Sequence, residues 1–153
     1  MPKTTENLYR AIINGSMDGP FVADDQPVVG LLYPRFEDST HTDISGNEKT
    51  SPADVEIISG KVQKGGGTSM FDVEGWFGYT NWRYFHVPND TEYPKSLFIK
   101  KGKSVRVNKS GNRTGRHYQI EPRNPMTVDA YKGALDNFAR NAVVRQVELS
   151  RVK

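Results

Sequence analysis

The sequence predicts an α+β fold, a compact mixed or antiparallel sheet followed by a long C-terminal helix. Strand-like runs dominate the middle of the chain, the one long stretch of helical periodicity comes last, and regular strand–helix alternation is missing. That last point argues against a doubly wound nucleotide-binding fold. With 153 residues there is no room for a second domain, so residues 1–153 are expected to form a single unit.

Leu8-Tyr9-Arg10-Ala11-Ile12-Ile13 reads as an early strand ended by the turn dipeptide Asn14-Gly15. Val28 to Tyr33 is a short apolar run stopped by Pro34, and Arg35 to Pro52 is polar enough to read as loop. Ser51-Pro52-Ala53-Asp54 carries helix-start chemistry, and Val55, Ile58 and Val62 follow at helical spacing, which predicts a short helix, although Val55 to Ile57 also fits a strand. Trp82 to Val87 and Ser96 to Val107 read as strands, the latter with turn residues at Lys101-Gly102. His117 to Ile120 reads as another, closed by Pro122 and Pro125. From Thr127, a cap residue, Tyr131, Leu135, Phe138, Ala139, Ala142 and Val143 form one apolar stripe, with Arg140, Arg145, Arg151 and Lys153 toward the C-terminal end, where the helix dipole favours cations.

Composition narrows the function. The chain has 35% hydrophobic and 10% aromatic residues, enough for a packed core. It has no Cys, which excludes a disulfide scaffold, a Cys-ligated metal and a thiol nucleophile. No run approaches the roughly 18 apolar residues of a membrane span, and the polar N-terminus does not resemble a signal peptide. Action in the cytosol of a producing or target cell is expected, with any export independent of such a peptide. The net charge of +3 conceals a split: residues 1–60 hold four Lys and Arg against ten Asp and Glu, and the remainder holds 17 against eight. A basic second part suits a phosphate-bearing ligand.

Gly65-Gly66-Gly67 precedes Thr68-Ser69, so a flexible backbone that can approach a phosphate or planar ligand adjoins two hydroxyls. The run matches neither the dinucleotide fingerprint nor the P-loop, and a plain turn is the competing reading. His117, Gln119 and Glu121 share one face of a strand, where an imidazole can act near neutral pH and a carboxylate can bond a ribose hydroxyl and stabilise an oxocarbenium-like centre. Arg10, inside an apolar strand, needs an anionic partner or solvent, and its fork suits a diphosphate. Trp76, Phe77, Tyr79 and Trp82 could stack on a nicotinamide or a base, or simply fill the core. His41 and His86 lack ligand-type neighbours at useful spacing, so no metal site is expected.

Several segments in order carry a resemblance: LYRA at Leu8–Ala11, LLYPRF at Leu31–Phe36, GGTSMFD at Gly66–Asp72, VPNDTEYP at Val87–Pro94, then HYQIEPRNPM and LDNFARNAVVRQ. Over essentially its whole length the chain resembles a small toxin family of bacterial type VI secretion effectors, with an ADP-ribosyltransferase-like fold and a dedicated immunity protein. The resemblance implies an NAD-dependent ADP-ribosyltransferase that arrests growth by modifying an unidentified target. It places Thr68 and Ser69 on the hydroxyl pair associated with toxicity and His117 in the NAD cleft. It puts Arg10 on the first-strand arginine that supports NAD. Tyr9, Gly66, Gly67, Phe71 and Tyr118 complete the expected NAD-contacting set. It does not extend to Glu121, whose catalytic reading rests on the strand pattern alone.

The basic stretch Lys100 to Arg123 leaves two other readings open. One is a metal-independent ribonuclease toxin with His117 as base and Arg113 or Arg116 on the phosphate. The other is a non-catalytic RNA-binding module. Nucleic acid is therefore the second-choice partner after NAD. A toxin of the same fold that modifies its target without NAD turnover is a further alternative.

Overall fold

The structure, a computed structural model, describes residues 2–13, 30–42, 44–51, 53–72, 82–106 and 114–151. Within them the elements run β1 (Leu8–Ile13), β2 (Ser39–Thr42), β3 (Glu48–Ser51), β4 (Ile57–Ile58), β5 (Lys61–Val62), β6 (Thr68–Phe71), β7 (Trp82–Val87), β8 (Leu97–Arg106), β9 (Thr114–Pro122), β10 (Met126–Thr127) and α1 (Val128–Arg151). The main sheet has the order β7-β1-β6-β9-β8 and is antiparallel throughout. A smaller sheet, β10-β5-β4, and the β2–β3 hairpin stand beside it. This is the α+β architecture that the sequence predicts.

Helix α1 forms where its stripe predicts. Thr127 caps it, its hydroxyl oxygen accepting from the Ala130 N–H at 3.1 Å. Tyr131, Leu135, Phe138, Ala139 and Ala142 are wholly buried and pack in one cluster with Leu8, Met70, Val87, Leu97 and Ile120 of the main sheet. Each fully buried Leu or Phe contributes roughly 1.5–3 kcal/mol, so the stripe outweighs helix propensity in seating α1. The Tyr131 hydroxyl adds a bond to the Ile120 carbonyl at 2.6 Å.

The helix expected from Ser51 to Val62 does not form. Ser59 and Gly60 both take positive φ, 52° and 77°, and turn the chain into the β4–β5 hairpin. Val55 and Val62 are buried while Ile57 and Ile58 are exposed, so the apolar spacing belongs to a turn and a hairpin. The polar stretch read as loop contains the β2–β3 hairpin, and Gly30 to Leu32, in the run before Pro34, form a turn whose two leucines enter the core. Lys101-Gly102 is not a chain reversal: β8 runs straight through with an irregularity between Lys101 and Ser104. A Cβ on Gly102 would lie 2.7 Å from the His117 carbonyl oxygen, so glycine permits the close approach of β8 to β9 there. Asn14-Gly15, Pro52, Trp76, Phe77, Tyr79, Val107 and Arg113 lie outside the described residues.

Candidate active site

Strand β1 pairs with β7 from Leu8↔Val87 to Ile13↔Trp82, but among the described residues it meets β6 through the single pair Tyr9↔Phe71. Where that ladder stops, Arg10 bridges. Its Nη1 donates to the Ser69 carbonyl at 3.1 Å and its Nη2 to the Tyr33 carbonyl at 2.9 Å. Burial lowers the guanidinium pKa from its usual value, and the Asp54 carboxylate is the strongest opposing influence. Arg10 leaves β1 on the face opposite Tyr9, and these two donors serve carbonyls that frame the site.

Residues paired across antiparallel strands share a face, and neighbours along a strand alternate. Tyr9, Phe71 and His117 therefore form one cross-strand row, and Lys100, Gln119 and Ser69 form the next, all on the face away from α1. His117 meets the edge of the Phe71 ring, with centroids 5.4 Å apart and planes at 60°. Burial lowers the His117 pKa below the ordinary 6.5, so the imidazole is neutral near pH 7, with one ring nitrogen donating and the other accepting. Tyr9 stacks on His86 at 4.9 Å and 12°, and the His86 Nε2 lies 3.0 Å from the Asn7 Oδ1. The sequence reading left His86 without a role; its register opposite Tyr9 is what brings it to the row.

The remaining candidates serve this row from behind or from its end. Thr68 is wholly buried on the helix side, where its hydroxyl donates to the Leu32 carbonyl at 2.5 Å. Tyr118 is also buried on that side, and burial followed by the charge of Glu6 raises its hydroxyl pKa. Glu121 is 5% exposed; its carboxylate accepts from the Gly65 N–H at 3.3 Å and from the Gln119 amide at 3.0 Å. The glycine run is a close-packing device: a Cβ on Gly66 would lie 2.4 Å from the Asp54 carbonyl oxygen, and one on Gly67 would lie 1.9 Å from that of Ile120. Ser69, Phe71, His117 and Tyr9 thus stand together on one face, with Glu121 at the end of the row, while Arg10, Thr68 and Tyr118 lie behind it.

Sequence reasoning missed the frame that holds this arrangement. Asp136 of α1 accepts from the Gly30 N–H at 3.0 Å and from the Tyr33 hydroxyl at 2.8 Å; burial, followed by this bond to Asp136, pushes the Tyr33 pKa up to about 12. The segment it clamps offers the Leu32 carbonyl to Thr68 and the Tyr33 carbonyl to Arg10. Asp72 accepts from the Arg116 N–H at 2.7 Å and ties β6 to β9 beside His117. The only hint in the sequence is that Asp136 is a short acid beside the apolar stripe.

A hydroxyl and a neutral imidazole thus share one face of the sheet with the rings of Phe71 and Tyr9. A sequence profile of the family described as Tse2 ADP-ribosyltransferase toxin matches residues 7–147. The chain belongs to the Tse2 ADP-ribosyltransferase toxin family. It is similar to Toxin Tse2 of Pseudomonas aeruginosa at 34% identity over 163 aligned positions, covering 97% of this chain and 95% of that protein. As a Tse2-family protein it is a growth-arresting toxin of the ADP-ribosyltransferase class, for which NAD is the substrate that the class implies. The nuclease and the non-catalytic RNA-binding module are not favoured as its function. Among the described residues no helix is long and apolar enough to cross a membrane.

Proposed function

We infer that this toxin transfers ADP-ribose from NAD on the sheet face that carries Ser69 and His117. The observation that carries the reading is the adjacency of these two side chains, two residues out of register on neighbouring strands, with the Phe71 ring against the imidazole. NAD supplies a bond from ribose to a cationic nicotinamide, which is already a good leaving group. The Ser69 hydroxyl both donates and accepts, and so holds a ribose hydroxyl in a fixed orientation. The neutral His117 imidazole accepts the proton of the attacking group on its free ring nitrogen and releases it to solvent, while the Phe71 ring packs against its edge. The stacked Tyr9–His86 pair offers a flat surface that excludes water from one side of a planar ring.

Arg10, Thr68 and Glu121 are positioning residues in this reading. Arg10 holds the Ser69 peptide where the β1–β6 ladder has stopped, Thr68 fastens β6 to the Leu32 segment, and Glu121 fastens Gly65 to β9. The toxin acts in the cytosol of a cell, and its cognate immunity protein covers the Ser69–His117 face. Incubating the protein and a cell lysate with tagged NAD tests the reading. Label transfer and nicotinamide release that disappear in Ser69→Ala and His117→Ala support it. Undiminished turnover in both folded variants, or toxicity with cellular NAD unconsumed, contradicts it.

A further inference from the structure

We propose that the acceptor of the ADP-ribosyl group is single-stranded nucleic acid, and that it docks on a basic and aromatic strip running from Arg123 through Phe98 and Lys100 to Lys64, beside Ser69 and His117. The proposal rests on the transferase reading for the chemistry, but the docking surface stands on its own geometry. Strand β8 is the edge of the main sheet among the described residues, and its register sets the strip. Phe98 lies opposite Glu121 and Lys100 opposite Gln119, so both share the face of His117 and Ser69. Lys64 borders the same place, because its neighbour Gly65 bonds both Glu121 and Gln119. All three cations are exposed, and among the described residues none has a carboxylate within ion-pair distance.

Lysines on an edge strand are ordinarily explained as protection against pairing with another chain. That does not explain Phe98, which is 39% exposed with the Arg123 guanidinium 5.4 Å above its ring. An exposed aromatic ring flanked by cations matches a stacked base with its phosphates, the ring adding a stacking face that attraction to an acidic surface alone does not call for. Glu121, the carboxylate within the strip, is buried and hydrogen-bonded to Gly65 and Gln119, which limits its repulsion of a polyanion. A strand stacked at Phe98 and tracking Lys100 brings a neighbouring nucleotide to the Ser69–His117 row. There the bond from ribose C1 to the nicotinamide nitrogen breaks with its electron pair leaving on nicotinamide. A lone pair on an oxygen or nitrogen of the nucleic acid forms the new bond to C1, and any proton on that atom passes to solvent.

The test measures fluorescence anisotropy of labelled oligonucleotides of about 12 nucleotides, as RNA and as DNA, without NAD. A poly-glutamate peptide serves as the acidic-protein probe. With three cations on phosphates, the log–log salt slope for the wild-type protein should be about −2. Lys100→Glu with Arg123→Glu should weaken oligonucleotide binding at least about tenfold and flatten that slope. Phe98→Ala should weaken oligonucleotide binding and leave poly-glutamate binding unchanged. The RNA and DNA arms identify which strand is preferred. In lysate with tagged NAD, label should be removed by nuclease and survive protease. Equal oligonucleotide affinity in the charge-reversed protein, or label carried only by protein, overturns the proposal. Intact oligonucleotide binding with no label on any macromolecule would count against the transferase reading and not against the docking surface.

Discussion

Thr68 and Ser69 are consecutive on β6, yet they leave it on opposite faces. The Thr68 hydroxyl is wholly buried and donates to the Leu32 carbonyl, whereas Ser69 shares the face of Gln119 and adjoins His117. The two hydroxyls therefore do different work. Thr68→Val keeps the shape and removes the donor, leaving a buried carbonyl without it, and should cost about 1–3 kcal/mol of stability. Ser69→Ala should change stability by no more than about 0.5 kcal/mol. Urea denaturation of the two single variants separates them; equal stability losses would contradict the assignment.

The glycines predict a contrast of sign. Gly67→Ala sets a Cβ 1.9 Å from the Ile120 carbonyl oxygen, which is backbone and must shift, so it should destabilise by about 1–3 kcal/mol or more. Gly133, exposed within α1, has nothing within 4 Å of such a Cβ, and Gly133→Ala should stabilise by up to about 1 kcal/mol through helix propensity. Thermal melting checks both, and a neutral Gly67→Ala would refute the close-packing role of the glycine run.

Arg10 separates two ways of losing activity. Arg10→Met removes the donors from the Ser69 and Tyr33 carbonyls together and should cost about 1–3 kcal/mol as well as activity. Arg10→Lys keeps the charge but cannot reproduce the fork, and should recover only part of both. Full stability in Arg10→Met with activity alone lost would instead place this side chain on the substrate.

His117 gives a pH signature. Its pKa in the folded protein lies below 6.5 because burial disfavours the cation, so below pH 6.5 the unfolded chain binds more protons at this position. The imidazole therefore subtracts stability as pH falls from 6.5 toward its folded pKa and has no such effect above. His117→Gln should flatten the fall of stability between pH 7 and pH 5 relative to the wild-type protein. A steeper fall in the variant would mean that the native imidazole gains a proton more easily than assigned.

Local patterns made much of this fold legible. The apolar run Leu8 to Ile13, the aromatic, β-prone run Trp82 to Val87, and the stripe from Tyr131 to Ala142 each decide an element from their own residues, and all three form as read. The segment from Ser51 to Val62 misleads because its helix-start residues precede Ser59-Gly60, whose positive φ values decide the local course of the chain. The row of His117, Gln119 and Glu121 follows from strand period alone. The partners of Arg10, Thr68 and Glu121 are backbone atoms far along the chain, and backbone atoms carry no residue-specific signal. Three glycines in a row announce a special backbone in sequence, but not whether a ligand or another strand comes close.

The most direct measurement is the rate of nicotinamide release from NAD by the wild-type protein, Ser69→Ala, His117→Ala and Thr68→Val at a temperature where all four are folded. Ser69→Ala and His117→Ala should each lose at least about 100-fold, as expected for loss of an orienting hydroxyl or an acid–base group. Thr68→Val, folded but less stable, should retain most of the wild-type rate. Loss of release in Thr68→Val alongside full release in Ser69→Ala and His117→Ala would contradict the placement of the active site on this face.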